Sequence, residues 1–285
     1  MKDKICLVTG GTSGIGKCAA IELAKQGAKV VIVGRDPSRG EQAKAEITTA
    51  AKGSPVDLMI ADLSSKRDVR RLAEEFESKY NRLHVLVNNA GALFSSRQET
   101  VDGIERTIAT NHLAYFMLAQ LLLPVLKWSI PSRIVNVASG AHTFGHIDFE
   151  DLQFTKKYSG WAAYSRSKLA NIMFTYELAR RIDGTGVTAN CMHPGAVRTR
   201  FFRGFAGISS VAVTLAAPFM RSPRKGAETV VYLASSPEVK AVSGKYFKDR
   251  KPIKSSPESM DVAAQRRLWE ISRQLADVSA GLGAN

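Results

Sequence analysis

Seven short apolar runs, rich in valine and isoleucine, recur along the chain and are separated by longer amphipathic stretches. The runs are KICLVT, AKVVIVG, PVDLMIAD, LHVLVNNAG, SRIVNVAS, GVTANCMHPG and SGKYF. Continuous runs of this kind suit strands buried on both faces of a parallel sheet, whereas a half-exposed strand would alternate. The intervening stretches predict helices at about 15–26, 38–51, 65–80, 101–127, 161–182 and 223–235. Strand and helix alternate from end to end. That order predicts an α/β fold: one doubly wound, mostly parallel, seven-stranded sheet with helices on both faces, joined by right-handed crossovers. No internal linker or short-period repeat divides it, so residues 1–285 are expected to form a single domain.

Two segments break the rhythm. One is 143–160. The other, RFFRGFAGISSVAVTLAAPFMR at 200–221, carries no charge between Arg203 and Arg221. It is too short, and too broken by Gly, Ser and Pro218, to span a membrane. Loops beyond the carboxyl ends of parallel strands build the ligand crevice. The segment is therefore expected to be an apolar substrate lid, with a make-up that also suits peripheral membrane contact.

Composition changes this picture little. Apolar residues make up 45% and charged residues 23%, as in an ordinary soluble protein with a large core. The net charge of +14 invites a nucleic-acid reading, but the basic residues are spread along the chain, with only short clusters such as KDRKPIK and RSPRK. A solvated basic surface that attracts anionic ligands is expected, and no nucleic-acid partner. Cys6, Cys18 and Cys191 are odd in number and far apart, which gives neither a disulfide framework nor zinc spacing. The chain opens MKDKICLVTGG, with no signal-peptide or transmembrane segment before its first motif, so a cytoplasmic location is expected.

The first run leads directly into TGGTSGIGK, residues 9 to 17. Gly10, Gly14 and Gly16, with Thr12, Ser13 and Ile15 between them, offer a tight turn, close backbone approach to a pyrophosphate and a helix N-terminus with unpaired N–H groups. At the end of the second run an NAD site wants an acidic side chain for the ribose 2′-OH. Gly34 stands at that position, Arg35 follows, and Asp36 suits a helix cap. Arg35 can pair with a 2′-phosphate, with Lys17 nearby, so NADP(H) is favoured over NAD(H).

In AAYSRSKLANI, Tyr164 and Lys168 are four residues apart in a helical run, so their side chains emerge on one face and can meet. Alone, such a pair reads as a surface pair. Together with TGGTSGIG, Asp62-Leu63, NNAG at 88–91, Asn111, Ser139 and HPGAVRT at 193–199, it resembles the short-chain dehydrogenase/reductases, whose motif order it matches across nearly the whole chain. ARRI, HPGAVRT, GKYF and RRLWEIS look most like the retinol dehydrogenase branch and its bacterial relatives.

The resemblance implies a Rossmann-type sheet and an oxidoreductase that moves hydride between nicotinamide and an aldehyde, ketone or alcohol. Tyr164 would be the acid or base, with Lys168 providing the cation that favours its phenolate and reaching the nicotinamide ribose. Ser139 would bond the substrate oxygen, and Asn111 would hold the water that connects Lys168 to solvent. Asp62 and Leu63 would contact adenine; Asn88, Ala90 and Gly91 would line the adjacent ribose side. Pro194, Gly195, Val197 and Thr199 would hold the carboxamide. The family often pairs through its fourth and fifth helices, which implies a homodimer or homotetramer.

The apolar lid points to an apolar substrate. His193 is expected to be structural; His142 and His146 either face the pocket or are solvated. His84 and His112 lack partners at metal spacing. The rival reading is a catalytically idle, cofactor-sensing interaction protein on the same fold. Its usual mark would be loss of Tyr164, Lys168 or Ser139, and all three are present.

Overall fold

In the computed structural model of the chain, residues 1–197 and 220–278 are described. Thr199 and most of the expected lid, residues 200–219, lie outside them.

Each apolar run becomes a strand. β1 (Ile5–Thr9), β2 (Lys29–Gly34), β3 (Val56–Ile60), β4 (Val85–Asn88), β5 (Ser132–Val137), β6 (Val187–Met192) and β7 (Tyr246–Lys248) pair parallel with one another. An eighth strand, β8 (Lys251–Ile253), pairs antiparallel with β7 and corrects the expected count of seven. Its three residues, Lys-Pro-Ile, are too few and too polar to register as an apolar run. The hairpin turns on Asp249 and Arg250, both at positive φ, as a two-residue turn matched to strand twist requires.

The sheet order is β3-β2-β1-β4-β5-β6-β7-β8. Strand succession reverses between β1 and β4, the place where an open α/β sheet forms its ligand crevice. Both faces are covered. Leu7 packs with the cluster on one side, Cys6 and Val8 with the cluster on the other, and all three are fully buried.

The helices are α1 (Gly14–Lys25), α2 (Pro37–Ala50), α3 (Lys66–Lys79), α4 (Arg106–Ile108), α5 (Ala114–Leu121), α6 (Leu123–Trp128), α7 (Gly160–Arg181), α8 (Pro223–Ser235) and α9 (Val262–Ala276). The helix expected at 101–127 starts later and is interrupted: residues Ala109–Leu113 form a π-helical turn between α4 and α5. α9 lies in the segment that periodicity left unassigned. None of the described helices is long and apolar enough to cross a membrane.

Candidate active site

The glycine turn is shaped by close approach. Gly10 (φ 63°) and Gly14 (φ 55°) have left-handed backbone, and a Cβ on Gly16 would lie 2.4 Å from the carbonyl oxygen of Gly10. Side chains at Asp36, Ser65, Ser159, Ser222 and Asp261 cap α2, α3, α7, α8 and α9. Ser13 at the start of α1 makes no such bond, and no acidic residue stands in the first turn. The N–H groups there face the crevice end of the sheet without a side-chain acceptor, which fits a pyrophosphate.

Two residues that the sequence reading passed over lock this turn to the end of β4. Thr9 Oγ accepts from the backbone N–H groups of Asn89 (2.9 Å) and Ala90 (3.1 Å). Asn89 Nδ2 donates to the carbonyl of Thr9 (2.9 Å). The switch point is thus stitched directly above the β1–β4 pairing.

Gly34 ends β2 beneath Thr12: a Cβ there would meet Thr12 Cγ2 at 2.4 Å. An acidic side chain at 34 has no room without displacing Thr12. Arg35 is exposed and makes no ion pair with a described residue, whereas Asp36 is engaged, accepting from Arg39 N–H at 3.0 Å. Lys17, expected to assist, instead bonds Glu46 at 2.5 Å. One position after Gly16, it projects toward α2, so of the two expected cations Arg35 is the one with no ion pair to a described residue.

Asp62 Oδ1 accepts from Ser64 N–H and Oγ–H at 2.9 and 2.8 Å, and Leu63 is buried beside it. Asn88 departs from expectation. It is wholly buried and donates across the sheet to Asn136 Oδ1 at 2.9 Å, so Ala90 and Gly91 are what β4 delivers to the crest. Gly195 (φ 82°) donates its N–H to His193 Nδ1 at 3.1 Å, and His193 stacks against Tyr246. Burial pushes His193 down to about 4, which keeps it a neutral acceptor and fits its structural reading. Val197 bridges to Arg221, and the N–H of Arg221 donates to the Ala196 carbonyl at 2.7 Å.

At the centre, Ser139 Oγ accepts from Ala141 N–H at 3.1 Å and hydrogen-bonds the Tyr164 hydroxyl. Lys168 Nζ lies 5.7 Å from the Tyr164 ring centre and 5.6 Å from that of the buried Tyr115, and donates to the Val137 carbonyl at 3.0 Å. A Cβ on Gly91 would stand 3.4 Å from Lys168 Nζ and 3.5 Å from Asn111 Oδ1, so those three residues are neighbours. Burial drives both titratable groups toward neutrality: Tyr164 rises to about 12, against the opposing bond from Ser139, and Lys168 falls to about 7.

Asn111 sits in the π-helical turn. Its side chain clamps Ala92, accepting from the N–H and donating to the carbonyl at 2.8 Å each, and donates to Ser167 Oγ at 3.0 Å. Its backbone carbonyl accepts from Asn171 Nδ2 at 2.8 Å. Ser167 in turn donates to the Tyr164 carbonyl at 2.7 Å. Asn171 and Ser167 were not singled out in the sequence, although both lie on the Tyr164–Lys168 helix.

A model of the family described as short chain dehydrogenase matches residues 4–206. Human retinol dehydrogenase 12 is 42% identical over 278 residues, covering 98% of this chain and 88% of that one. Human retinol dehydrogenase 14 is 43% identical over 288 residues, at 95% and 86% coverage. The chain belongs to the short-chain dehydrogenases. Within them it stands in the retinol dehydrogenase branch. A solved structure of an uncharacterized protein from Mycobacterium paratuberculosis aligns with this short-chain dehydrogenase at TM-score 0.80 and 33% identity, covering 97% of this chain and 94% of that one. A short chain dehydrogenase from Burkholderia cenocepacia, solved in complex with NADP, aligns at TM-score 0.69 and 27% identity, covering 86% and 96%. This short-chain dehydrogenase is accordingly an oxidoreductase acting on CH–OH groups, on a fold that binds NAD(P).

Proposed function

We propose that the protein is an NADP(H)-dependent carbonyl reductase or alcohol dehydrogenase for apolar aldehydes, ketones or alcohols. The observation that carries this reading is the convergence of Ser139, Tyr164 and Lys168 beside Gly91 and Asn111.

When bound, the reduced nicotinamide supplies the hydride. A carbonyl that accepts hydride gathers negative charge on oxygen, and the side chains must stabilise it and deliver a proton. Ser139 donates its hydroxyl to that oxygen while its own lone pair is held by Ala141 N–H. Tyr164 donates the proton. With a pKa pushed to about 12 it is fully protonated at neutral pH, the form that reduction needs. Lys168, one helical turn on, supplies in its protonated form the charge that steadies the phenolate left behind. Asn111 fixes the Ala92 backbone and, through Ser167, the start of the Tyr164 turn.

Two features support the substrate and cofactor classes. The exposed rings of Phe144 and Trp161 are 6.2 Å apart, and Trp161 is 6.0 Å from Tyr164, which sets an aromatic surface beside the reacting hydroxyl. Gly34 under Thr12, followed by Arg35 with no ion pair to a described residue, favours a 2′-phosphate. Retinal-like aldehydes fit this chemistry, in keeping with the retinol dehydrogenase names of the relatives, and lipid aldehydes share its apolar character.

NADPH oxidation measured against retinal, medium-chain aldehydes, steroids and quinones tests the reading. Turnover of an apolar carbonyl is expected, with Tyr164→Phe losing about 10²–10⁴-fold in kcat while NADPH binding remains. Full activity in that variant overturns the mechanism, and silence across the panel overturns the reading.

A further inference from the structure

Residues 255–278 lie beyond the stretch that the family model matches, 4–206, yet they reach the candidate catalytic groups through two buried histidines. His112 follows Asn111 in the π-helical turn and is wholly buried. Its Nδ1 lies 3.3 Å from Asn171 Oδ1, an acceptor, so that nitrogen carries the proton; its Nε2, 2.7 Å from Ser272 Oγ on α9, accepts from the hydroxyl. Asn171 uses its amide nitrogen to hold the Asn111 carbonyl. His142 repeats the arrangement. Its Nδ1–H donates to the Ser139 carbonyl at 2.8 Å, and its Nε2 accepts from the Ser256 N–H at 3.1 Å.

Each histidine thus has one nitrogen on the C-terminal segment and the other on the support of a residue assigned to the reacting centre. We infer that His112 and His142 are positioning residues that make the seating of the C-terminal segment, through Ser272 and the Ser256 N–H, a condition for correct placement of Asn111 and Ser139. This rests on the assignment of those two residues under the proposed function.

The physical reason is satisfiability. A carbonyl released by the π-helical turn needs a donor, and Asn171 supplies it only in the amide orientation that His112 Nδ1–H enforces. Without Ser272, His112 Nε2 is left in an apolar setting against Phe174 with no donor, and the ring is free to tilt. At the second bridge, His142 spans from the Ser139 carbonyl to Ser256, which fixes the peptide that carries Ser139 into the 3₁₀ turn at Gly140–Phe144. Other bonds hold the same segment in place: Glu258 Oε1 accepts from Ile147 N–H at 2.8 Å, and the hydroxyls of Tyr176 and Ser255 meet at 2.8 Å. The C-terminal segment therefore stays docked when one bridge is cut, and each bridge can be examined separately.

The test is steady-state kinetics on the full chain with an apolar aldehyde, alongside NADPH binding and thermal melting. Ser272→Ala removes one hydroxyl. Ser256→Pro deletes one N–H at a residue whose φ of −61° is already that of proline. Each is expected to lower kcat by about tenfold, with KM and NADPH affinity within about twofold. His112→Leu should lose more, and His112→Asn, which restores a donor toward Asn171, should recover part of it. Unchanged kcat in both single-group variants overturns the inference, as does a loss matched by weaker NADPH binding and an equal loss in His112→Asn. Tyr164→Phe run in parallel separates the two readings: its inactivity together with intact Ser272→Ala and Ser256→Pro sinks the bridges alone, whereas its retained activity sinks the catalytic assignment beneath them.

Discussion

Tyr164 and Lys168 show how far spacing can be trusted at the scale of a residue. Their four-residue interval put both on one face of α7, and Ser139 at the end of β5 completed the group because a strand end and a helix face were brought to one crest. Asn88 and Lys17 were misplaced for a different reason. A motif states that a residue is near the crevice but not which way its side chain turns. Asn88 turns into the sheet toward Asn136, and Lys17 turns toward Glu46 on α2. Arg35, which follows Gly34, makes no ion pair with a described residue, so Arg35→Ala should cut the NADPH-over-NADH preference in kcat/KM by about tenfold or more. An unchanged ratio would assign 2′-phosphate recognition elsewhere. Trp161 allows a second check. Trp161→Ala should raise KM for long apolar aldehydes several-fold while sparing short ones, at roughly 0.8 kcal/mol for each buried methylene no longer covered. An equal effect on all chain lengths would remove the ring from the substrate path.

Among the elements, the parallel strands were the most legible, since burial on both faces writes itself as uninterrupted apolar runs. The π-helical turn was not legible. Its residues, ATNHL, carry no local mark of a π turn, and its stability comes from partners far along the chain, Ala92, Ser167, Asn171 and Ser272. α9 could have been read: Gln265, Leu268, Trp269, Ser272 and Ala276 recur on one face and are buried. Its anchor is Trp269, 4.9 Å from Phe116 and 5.9 Å from Phe174, with the Arg181 guanidinium 4.4 Å above its ring. Trp269→Ala should cost about 3–5 kcal/mol in urea unfolding. A loss below about 1 kcal/mol would mean that α9 contributes little to the fold.

For the whole molecule, the buried ionisable groups set a stability profile. Lys168 is pushed from 10.5 to about 7, so between those values the unfolded chain binds a proton that the folded chain does not. Stability therefore rises with pH across that window and is lost as pH falls through it. Cys6 and Cys191, raised from 9.0 to about 12, act oppositely above pH 9, where unfolded thiols ionise first. His84, His112 and His193, lowered from 6.5 to about 4, withdraw stability as pH falls between those values. From pH 7 to 8.5 only Lys168 among these titrates strongly, and the cofactor-free protein should gain on the order of 1–2 kcal/mol. Lys168→Met should abolish that gain in denaturant titrations; the same slope in both proteins would contradict the burial of a neutral amine.

The β7–β8 hairpin has a bearing on how copies of this molecule avoid one another in a crowded solution. An open sheet ends in a row of unsatisfied peptide groups that can recruit any passing extended chain. Here the last strand is three exposed residues long, and in a two-residue hairpin Pro252, opposite Phe247, occupies a pair whose peptide groups point outward. The donor that an incoming chain would need first is the one that proline lacks, and Lys251 adds charge beside it. On this side the sheet thus stops at a rim that is a poor template for a ninth strand.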